Sequence, residues 1–482
     1  MNKIIYSLLL LLCFQINLYS ESEDYYPAEQ YYEQKELPTH GIVLFGATGD
    51  LVKRKIIPSL VSLAAKDKLP QDYVWICVGR RELSQEQFLK HISTFIKEEQ
   101  LPYWNAVKDK IVYVTGNLDS EELYKKIANV LRRKNVTNHL YYLAIPSDNY
   151  PTIVKGLYQE DLLDKDDGYV KVLFEKPFGK DLDSAKALHA QISAYLGKDQ
   201  ASYVDHYLGK SIVRSITGFR KKFEKFELLW NRIFIQSVDI TLAEDIGIEG
   251  RGAFWEQTGL LRDVVQNHVM QMIGLVAMDM PDNLEGPQLS KNKVQVIKAL
   301  KAFNLEDEFP QIIRGQYARG IVNNQVAPGY REEKNVSPES NVETFVAANF
   351  KIDNYRWKDV PFVVKAGKRL SEKKTQIEIQ LKPLLKSGGN RLVFSIHPVE
   401  EIYYVDFADN KHTLYTPNDS NDAYENIFED ALQGNFSNFA TFKEILAAWK
   451  FFSPVLKYWE ENAPVDFPNY EAGSEGPEYY FD

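Results

Sequence analysis

Residues 41–51, GIVLFGATGDL, are a short apolar run (Ile42–Phe45) that closes on Gly46 and Gly49 and leads into a stretch with helical spacing. An apolar run bounded by glycine reads as a buried strand. Glycines at the following turn let the backbone approach a pyrophosphate, and the N-terminus of the next helix offers it unpaired N–H groups. The spacing is G-x-x-G rather than G-x-G-x-x-G, so a plain strand-to-helix turn fits it equally well.

Downstream, apolar runs alternate with amphipathic stretches. YVWICVG, KIVYVTG, LYYLAI and VKVLFEKP are separated by helix-like segments, among them Gln85–Glu99 and Glu121–Lys134. Such alternation predicts a parallel sheet wrapped by helices, a Rossmann-like dinucleotide-binding domain over residues 41–205. After VWICVG, where a site for NAD places an acidic residue on the ribose 2′-hydroxyl, this chain has Arg80 and Arg81. A guanidinium there pairs with a 2′-phosphate and selects NADP, against the plainer reading of two solvated arginines opening a helix.

The second half changes character. RIFIQSVDITLAE, TFVAANFKID, PFVVKAG, KTQIEIQLKP and LVFSIHP show alternation or short apolar runs split by turn residues. They predict an α+β domain with a large, mainly antiparallel sheet over residues 206–477, with helices over Leu260–Met280 and Asn426–Phe452. The active site then lies between the two domains.

The whole chain of 482 residues carries a net charge of −10, which argues against a nucleic-acid or anionic-membrane partner. Lys3, the mostly apolar run Ile4–Phe14 and the small Ser20 read as an export signal over residues 1–20. That run is too short to span a bilayer. The signal implies an exported or lumenal location, in a bacterial periplasm or the endoplasmic reticulum lumen, with cytoplasm as the alternative if the signal is misread. Residues 21–40, acidic and tyrosine-rich, read as a flexible linker. Without residues 1–20 a single cysteine remains, Cys77, so no intramolecular disulfide can form.

Three stretches hold most of the chemistry. FEKPFG (Phe174–Gly179) delivers Lys176 from a strand end to the carboxyl edge of the sheet, where ligands of such sheets sit. DHYLGK (Asp205–Lys210), if helical, sets His206 and Lys210 on one face with Tyr207 beside them, a compact trio of phosphate donors. In GLLRDVVQNHVMQM (Gly259–Met272), His268 follows Asp263 on a predicted helix. A histidine suits removal of a hydroxyl proton when a carboxylate orients it. Taken alone, His268 lies on the stripe Leu261, Val264, Val265, Met272, where a satisfied core histidine is the commoner case.

Beyond these stretches, GATGDLVKRKIIP, EKPFGKDL, VDHYLGK, EGRGAFWEQTGLLRDVVQNHVMQM, VPFVVKAGKRLSEKK and DAYENIFEDALQGN occur in an order that resembles the glucose-6-phosphate dehydrogenase family, from about Gly41 to about Pro477. The resemblance implies hydride transfer from C1 of glucose 6-phosphate to NADP, giving 6-phosphoglucono-1,5-lactone and NADPH. It implies His268 as the base and Asp205 as its orienting carboxylate. His206, Tyr207 and Lys210 would hold the 6-phosphate, and Lys176 would touch both sugar and cofactor. Glu244, Asp263, Lys368 and Lys373 would complete the sugar pocket. Gly46, Thr48, Gly49, Asp50, Leu51, Arg80 and Tyr150 would contact NADP. A homodimer or dimer-based tetramer follows by the same resemblance.

Three positions depart from the family pattern: Tyr203 where arginine usually stands, Ser211 where glutamate does, and His397 where glutamine is common near the sugar. The chain stops soon after GSEGP, so a second, structural NADP site is not expected. No His/Cys spacing predicts a metal, and hydride transfer needs only one base and one aligned acceptor. Two rivals remain at this point: a sugar oxidoreductase of the glucose-fructose type acting on unphosphorylated sugar, and a non-catalytic NADP-binding protein.

Overall fold

The computed structural model describes residues 39–164, 168–306, 310–383, 390–417 and 421–481. The expected signal and nearly all of the expected linker lie outside the described residues. Six parallel strands form the first sheet: β1 (His40–Phe45), β2 (Tyr73–Gly79), β3 (Ile111–Thr115), β4 (Asn138–Leu143), β5 (Val170–Phe174) and β6 (Ala201–Tyr203). Their spatial order is β3-β2-β1-β4-β5-β6. Helices cover both faces, so the central strands read as nearly continuous apolar runs: β1 is buried along its whole length. The chain leaves β1 toward one side and returns through β4 on the other. A crevice opens between their carboxyl ends, and ligands of open α/β sheets bind at such a switch.

The helix Glu121–Lys134 has the bounds its periodicity predicts, burying Leu123, Ile127 and Leu131 four residues apart. Beyond the first domain the strands are β7 (Ile235–Ala243), β8 (Ile312–Gly315), β9 (Tyr317–Ala318), β10 (Gly320–Val322), β11 (Gln325–Ala327), β12 (Phe345–Lys351), β13 (Pro361–Gly367), β14 (Lys374–Leu381), β15 (Asn390–His397), β16 (Glu401–Val405), β17 (Lys411–Tyr415) and β18 (Tyr470–Glu471). Eight of them make one sheet in the order β17-β16-β15-β14-β7-β13-β12-β8. It is antiparallel except where β7 runs parallel to β13. Along β14, buried Thr375, Ile377, Ile379 and Leu381 alternate with half-buried polar residues, as a sheet with one covered face requires.

Four expected helices differ, and the first of them, Gln85–Glu99, ends its regular turns at Ser93. Leu260–Met280 is not one regular helix. Gly259, at φ +67°, breaks the chain from the preceding turn, and Leu261–Val269 then winds as a wide π-helix before Met270–Ala277 narrows to α. Asn426–Phe452 is two helices, Ala423–Leu432 and Phe442–Glu461. Gly434 takes φ +75° between them, a conformation that stops the first at little steric cost. Asp205–Lys210 is a string of tight turns rather than a helix, with Leu208, Gly209 and Lys210 donating to the carbonyls three residues back. The reason is local: Asp205 Oδ1 accepts the Tyr207 N–H at 2.9 Å, offering the backbone an alternative to the helical ladder.

The helix Ala423–Leu432 comes late in the chain yet packs on the first domain. Ile427, Phe428 and Ala431 join the core that holds Ile42 and Leu44 of β1. Phe428, fully buried, stacks on Tyr142 with ring centroids 5.2 Å apart. Burying that side chain stabilises the contact by roughly 1.5–3 kcal/mol. Lys66 and Lys68 pair with Glu425 and Glu429 at 2.8 and 3.1 Å along the same seam. Among the described residues no helix is long and apolar enough to cross a membrane.

Candidate active site

The cleft gathers side chains from five separate pieces of chain. His268 Nδ1 lies 2.5 Å from Asp205 Oδ1, and the two residues are 2% and 5% exposed. Burial alone would raise the Asp205 carboxyl, but the His268 imidazole beside it holds it down to about 2. An ionised Asp205 accepts a hydrogen bond from Nδ1–H, which fixes the tautomer: Nε2 carries the lone pair. Burial also lowers the His268 pKa below its ordinary value, with Asp205 opposing and Lys176 adding to the effect.

Lys176, delivered just past β5, donates to His268 Nε2 at 3.1 Å and to Asp263 Oδ1 and the Asp263 carbonyl at 2.8 Å each. Burial would raise Asp263 as well, yet the Lys176 ammonium holds it down to about 2. The π-helix explains how one lysine reaches both. Residues i and i+5 stand about 140° apart around an α-helix of 3.6 residues per turn. In the wider π turn they are bonded neighbours along one face. Asp263 and His268 are five apart.

Around this centre lie the expected phosphate donors. Tyr207 stacks on the His268 ring at 4.3 Å, and His206 meets it edge-on at 4.5 Å. Burial, then the charges of His268 and Lys176, drive the His206 pKa well down. Burial first, then the charges of Lys373 and Lys210, lower the His397 pKa, and His397 pairs across the sheet with Thr375, two residues on from Lys373. Lys373 is exposed and half of its turn faces solvent. Lys368, 3% exposed at the end of β13, is ion-paired with Glu244 at the end of β7. Asp205, His206 and His268 offer ligand atoms within 4.8 Å of one another. Nδ1 of His268 is spent on Asp205 and Nε2 accepts a hydrogen bond from Lys176, an arrangement suited to moving protons rather than holding an ion.

At the other end, Gly46 takes φ +85°, and a Cβ there would lie 2.3 Å from the Ala144 carbonyl oxygen at the end of β4. Only glycine leaves the β1–β4 crevice open at this point. Gly49 closes the turn by donating to the Gly46 carbonyl at 2.8 Å. Thr48 and Leu51 are half-buried, and Asp50 is exposed and paired with Lys53 at 2.7 Å. Arg80, past the end of β2, is exposed and has no side-chain partner among the described residues. An open glycine turn beside an uncommitted guanidinium fits a dinucleotide bearing a 2′-phosphate. Tyr150 is fully buried, and its hydroxyl donates to the Glu175 carbonyl at 2.5 Å. Contrary to the expectation from resemblance, its side chain is therefore closed off from a bound dinucleotide, because packing covers the ring and the Glu175 carbonyl takes the hydroxyl.

Several site neighbours escape a reading of the sequence. Trp255 lies under Lys368, with Nζ 5.0 Å from the ring centroid. Glu343, buried, accepts the Leu261 N–H at 2.9 Å and so caps the π-helix that carries Asp263 and His268. The glutamate directly before Lys176 is also buried and hydrogen-bonded to tyrosines. Only burial of a carboxyl group, which raises the pKa of both, marks the two glutamates, and it is visible once the chain is folded.

The chain matches two family models, "Glucose-6-phosphate dehydrogenase, NAD binding domain" over residues 43–215 and "Glucose-6-phosphate dehydrogenase, C-terminal domain" over residues 217–481. It is 35% identical to the glucose-6-phosphate 1-dehydrogenase of Chlamydia muridarum, covering 91% of this chain and 93% of that one. To the Bacillus subtilis enzyme of the same name it is also 35% identical, with 91% and 95% covered. A solved glucose-6-phosphate dehydrogenase in complex with its substrate glucose 6-phosphate superposes with a TM-score of 0.82 at 32% identity, covering 92% of this chain and 97% of that one. The glucose-6-phosphate 1-dehydrogenase of Mycobacterium avium gives 0.78 at 31%, with 92% and 96% covered. The expected exported or lumenal location is corrected: the matching relatives are glucose-6-phosphate 1-dehydrogenases of bacteria and fungi, and none of these matches supports a signal over residues 1–20. Residues 1–20, on which export was read, lie outside the described residues.

Proposed function

This chain belongs to the glucose-6-phosphate dehydrogenase family, and on that premise we propose that His268 is its catalytic base, oriented by Asp205, in a cleft whose cationic end grips the sugar phosphate. The activity is NADP-linked oxidation of glucose 6-phosphate at C1 to the 1,5-lactone, the first oxidative step of the pentose phosphate pathway. One observation carries the residue assignment: the ionised Asp205 carboxylate bonds Nδ1, leaving the Nε2 lone pair facing the Lys176 ammonium.

A hydroxyl proton must leave as the C1–H bond breaks, and Nε2 is the acceptor for it. Asp205 then stabilises the imidazolium without taking the proton itself. Lys176 is placed to turn from Nε2 toward the sugar, and Asp263 holds it at the cleft floor. Glu244 and Lys368 supply an acceptor and a donor for sugar hydroxyls. His206, Tyr207, Lys210 and Lys373 bind the 6-phosphate. Gly46, Thr48, Gly49, Asp50 and Leu51 form the cradle of the dinucleotide, and Arg80 meets its 2′-phosphate. Bound NADP supplies the acceptor for the hydride leaving C1.

In this reading residues 41–205 bind the dinucleotide and residues 206–477 bind sugar. Assembly as a homodimer or dimer-based tetramer belongs to the same proposal, resting on the family likeness, and light scattering on the purified chain tests it. The function is tested by following NADPH formation with glucose 6-phosphate and with free glucose. Turnover should require the phosphate. Equal rates with free glucose would favour the glucose-fructose type of enzyme, and no rate with either would leave a binding protein.

A further inference from the structure

Lys176 is held from two sides. Its ammonium reaches His268 and Asp263, while the residue before it points the opposite way, into the floor of the first domain. Successive residues at a strand end face opposite sides of the sheet, so Glu175 goes in as Lys176 goes out. Glu175 is 8% exposed. Its Oε1 accepts the Tyr142 hydroxyl from β4 and, at 3.2 Å, the Tyr424 hydroxyl from the helix Ala423–Leu432. Its backbone carbonyl takes the Tyr150 hydroxyl at 2.5 Å.

Burying a carboxylate is costly, and here two phenols provide its side-chain hydrogen bonds in place of a cation from another element. A carboxylate kept for stability alone could be replaced by an apolar residue at little loss. This one lies next to the lysine at the centre of the cleft. Tyr424 extends the connection, for its ring is parallel to that of His206, 6.4 Å away at 6°.

We propose that Glu175 is a positioning residue: clamped by Tyr142 and Tyr424, it fixes the strand end from which Lys176 reaches His268 and Asp263. The clamp also ties the late helix Ala423–Leu432 to the catalytic centre, so that helix acts on the chemistry and not only on the packing. The inference rests on the reading of His268 and Lys176 given above. The groups facing His268 are Asp205, His206 and Tyr207 from the turns after β6, Lys176 from β5, and Asp263 on its own helix. Withdrawing Lys176 removes a cation from Nε2, so protonation of His268 becomes easier and the acidic limb of the rate profile moves to higher pH.

The test compares Glu175→Gln, Tyr424→Phe and the double variant with the parent in the full-length chain. Expected for Glu175→Gln is a kcat lowered by about tenfold to a hundredfold, since small misplacements of reacting groups cost this much. The KM for glucose 6-phosphate and the NADPH affinity read by fluorescence should change far less, and the acidic limb of kcat should rise in pH. Tyr424→Phe should lose about threefold to tenfold, and the double variant should lose no more than Glu175→Gln alone. Two outcomes overturn the clamp: kcat and pH profile both unchanged in a variant with parental thermal stability, or losses that multiply independently. Should Glu175→Gln fail to fold, Tyr142→Phe and Tyr424→Phe keep the test, because each removes one hydroxyl; parental kcat in both would refute the proposal. A His268→Asn variant that remained active would instead refute the catalytic reading beneath it, so the two failures are distinguishable.

Discussion

The cleft around His268 and the rim around Gly46 and Arg80 do opposite things with charge. In the cleft, His268, Asp205 and Lys368 are 2%, 5% and 3% exposed, and each is engaged by an opposite charge or a hydrogen-bond partner. On the rim, the Asp50 side chain is 75% exposed and Arg80 faces solvent with no side-chain partner among the described residues. Coulombic effects are several-fold larger away from water, so the cleft holds buried carboxylates ionised and fixes a tautomer, while on the rim only the exposed Asp50 is lowered, chiefly by its hydrogen bond with Lys53. The rim instead uses shape, a glycine turn that lets a backbone approach, together with one loosely held cation. The first region is built for chemistry and the second for recognition, and substitutions should separate them.

The largest expected effect is in the cleft. His268→Asn should lower kcat by about a thousandfold or more, within the range for losing a positioned base, while glucose 6-phosphate still binds. Lost binding with normal turnover of bound substrate would erase the distinction between the two regions. Asp205→Asn should follow at about a hundredfold, because an amide can leave Nδ1 without its acceptor and free the wrong tautomer; steady-state kinetics and the imidazole nitrogen shifts by NMR report it.

On the rim, Gly46→Val should act on dinucleotide binding rather than on the base. A left-handed φ costs an L-residue about 1–2 kcal/mol, and here the Cβ also meets the Ala144 carbonyl. NADPH titration should show weakened binding; unchanged affinity would mean the cofactor avoids the β1–β4 crevice. Arg80→Ala should narrow the preference for NADP over NAD by about tenfold, the scale of one charge-assisted contact. An unchanged preference would move the 2′-phosphate to Arg81.

The smallest effect is the change of kcat with pH near neutrality. Burial lowers the His268 pKa from its ordinary value of 6.5, and a base must be neutral to act. The active form is therefore present above that lowered pKa and is lost only as pH falls through it, below 6.5. Rim variants such as Arg80→Ala should leave this limb in place, and Asp205→Asn should push it lower, since the carboxylate raises the His268 pKa. A limb above 6.5 in the parent enzyme would contradict the buried, neutral imidazole.

How much was legible differs between the same two regions. The rim is nearly continuous in the chain: strand, Gly46, Gly49 and helix lie within residues 40–65, and Arg80 directly follows the next strand. The helix Glu121–Lys134 is equally readable, because a period of 3.6 is a local property. The cleft is assembled from residues 176, 205, 263 and 268, brought within hydrogen-bonding reach by two domains. Local pattern left His268 as an apolar-stripe histidine, and only resemblance raised it. The widened helix at Leu261–Val269 could not be read either, since the cap that starts it is Glu343, more than seventy residues away.

By itself the sequence determined the alternation of strands and helices, the glycine turn, the arginines after β2 and the motifs that mark the family, because each depends on neighbours a few residues apart. Tertiary structure alone decided which nitrogen of His268 keeps its lone pair, that Asp205 and Asp263 stay ionised, that Lys176 bridges Asp263 and His268, and that a late helix closes on Glu175. Those outcomes depend on burial and on partners distant in the chain, and the energy of a charge is fixed by its surroundings rather than by its residue type.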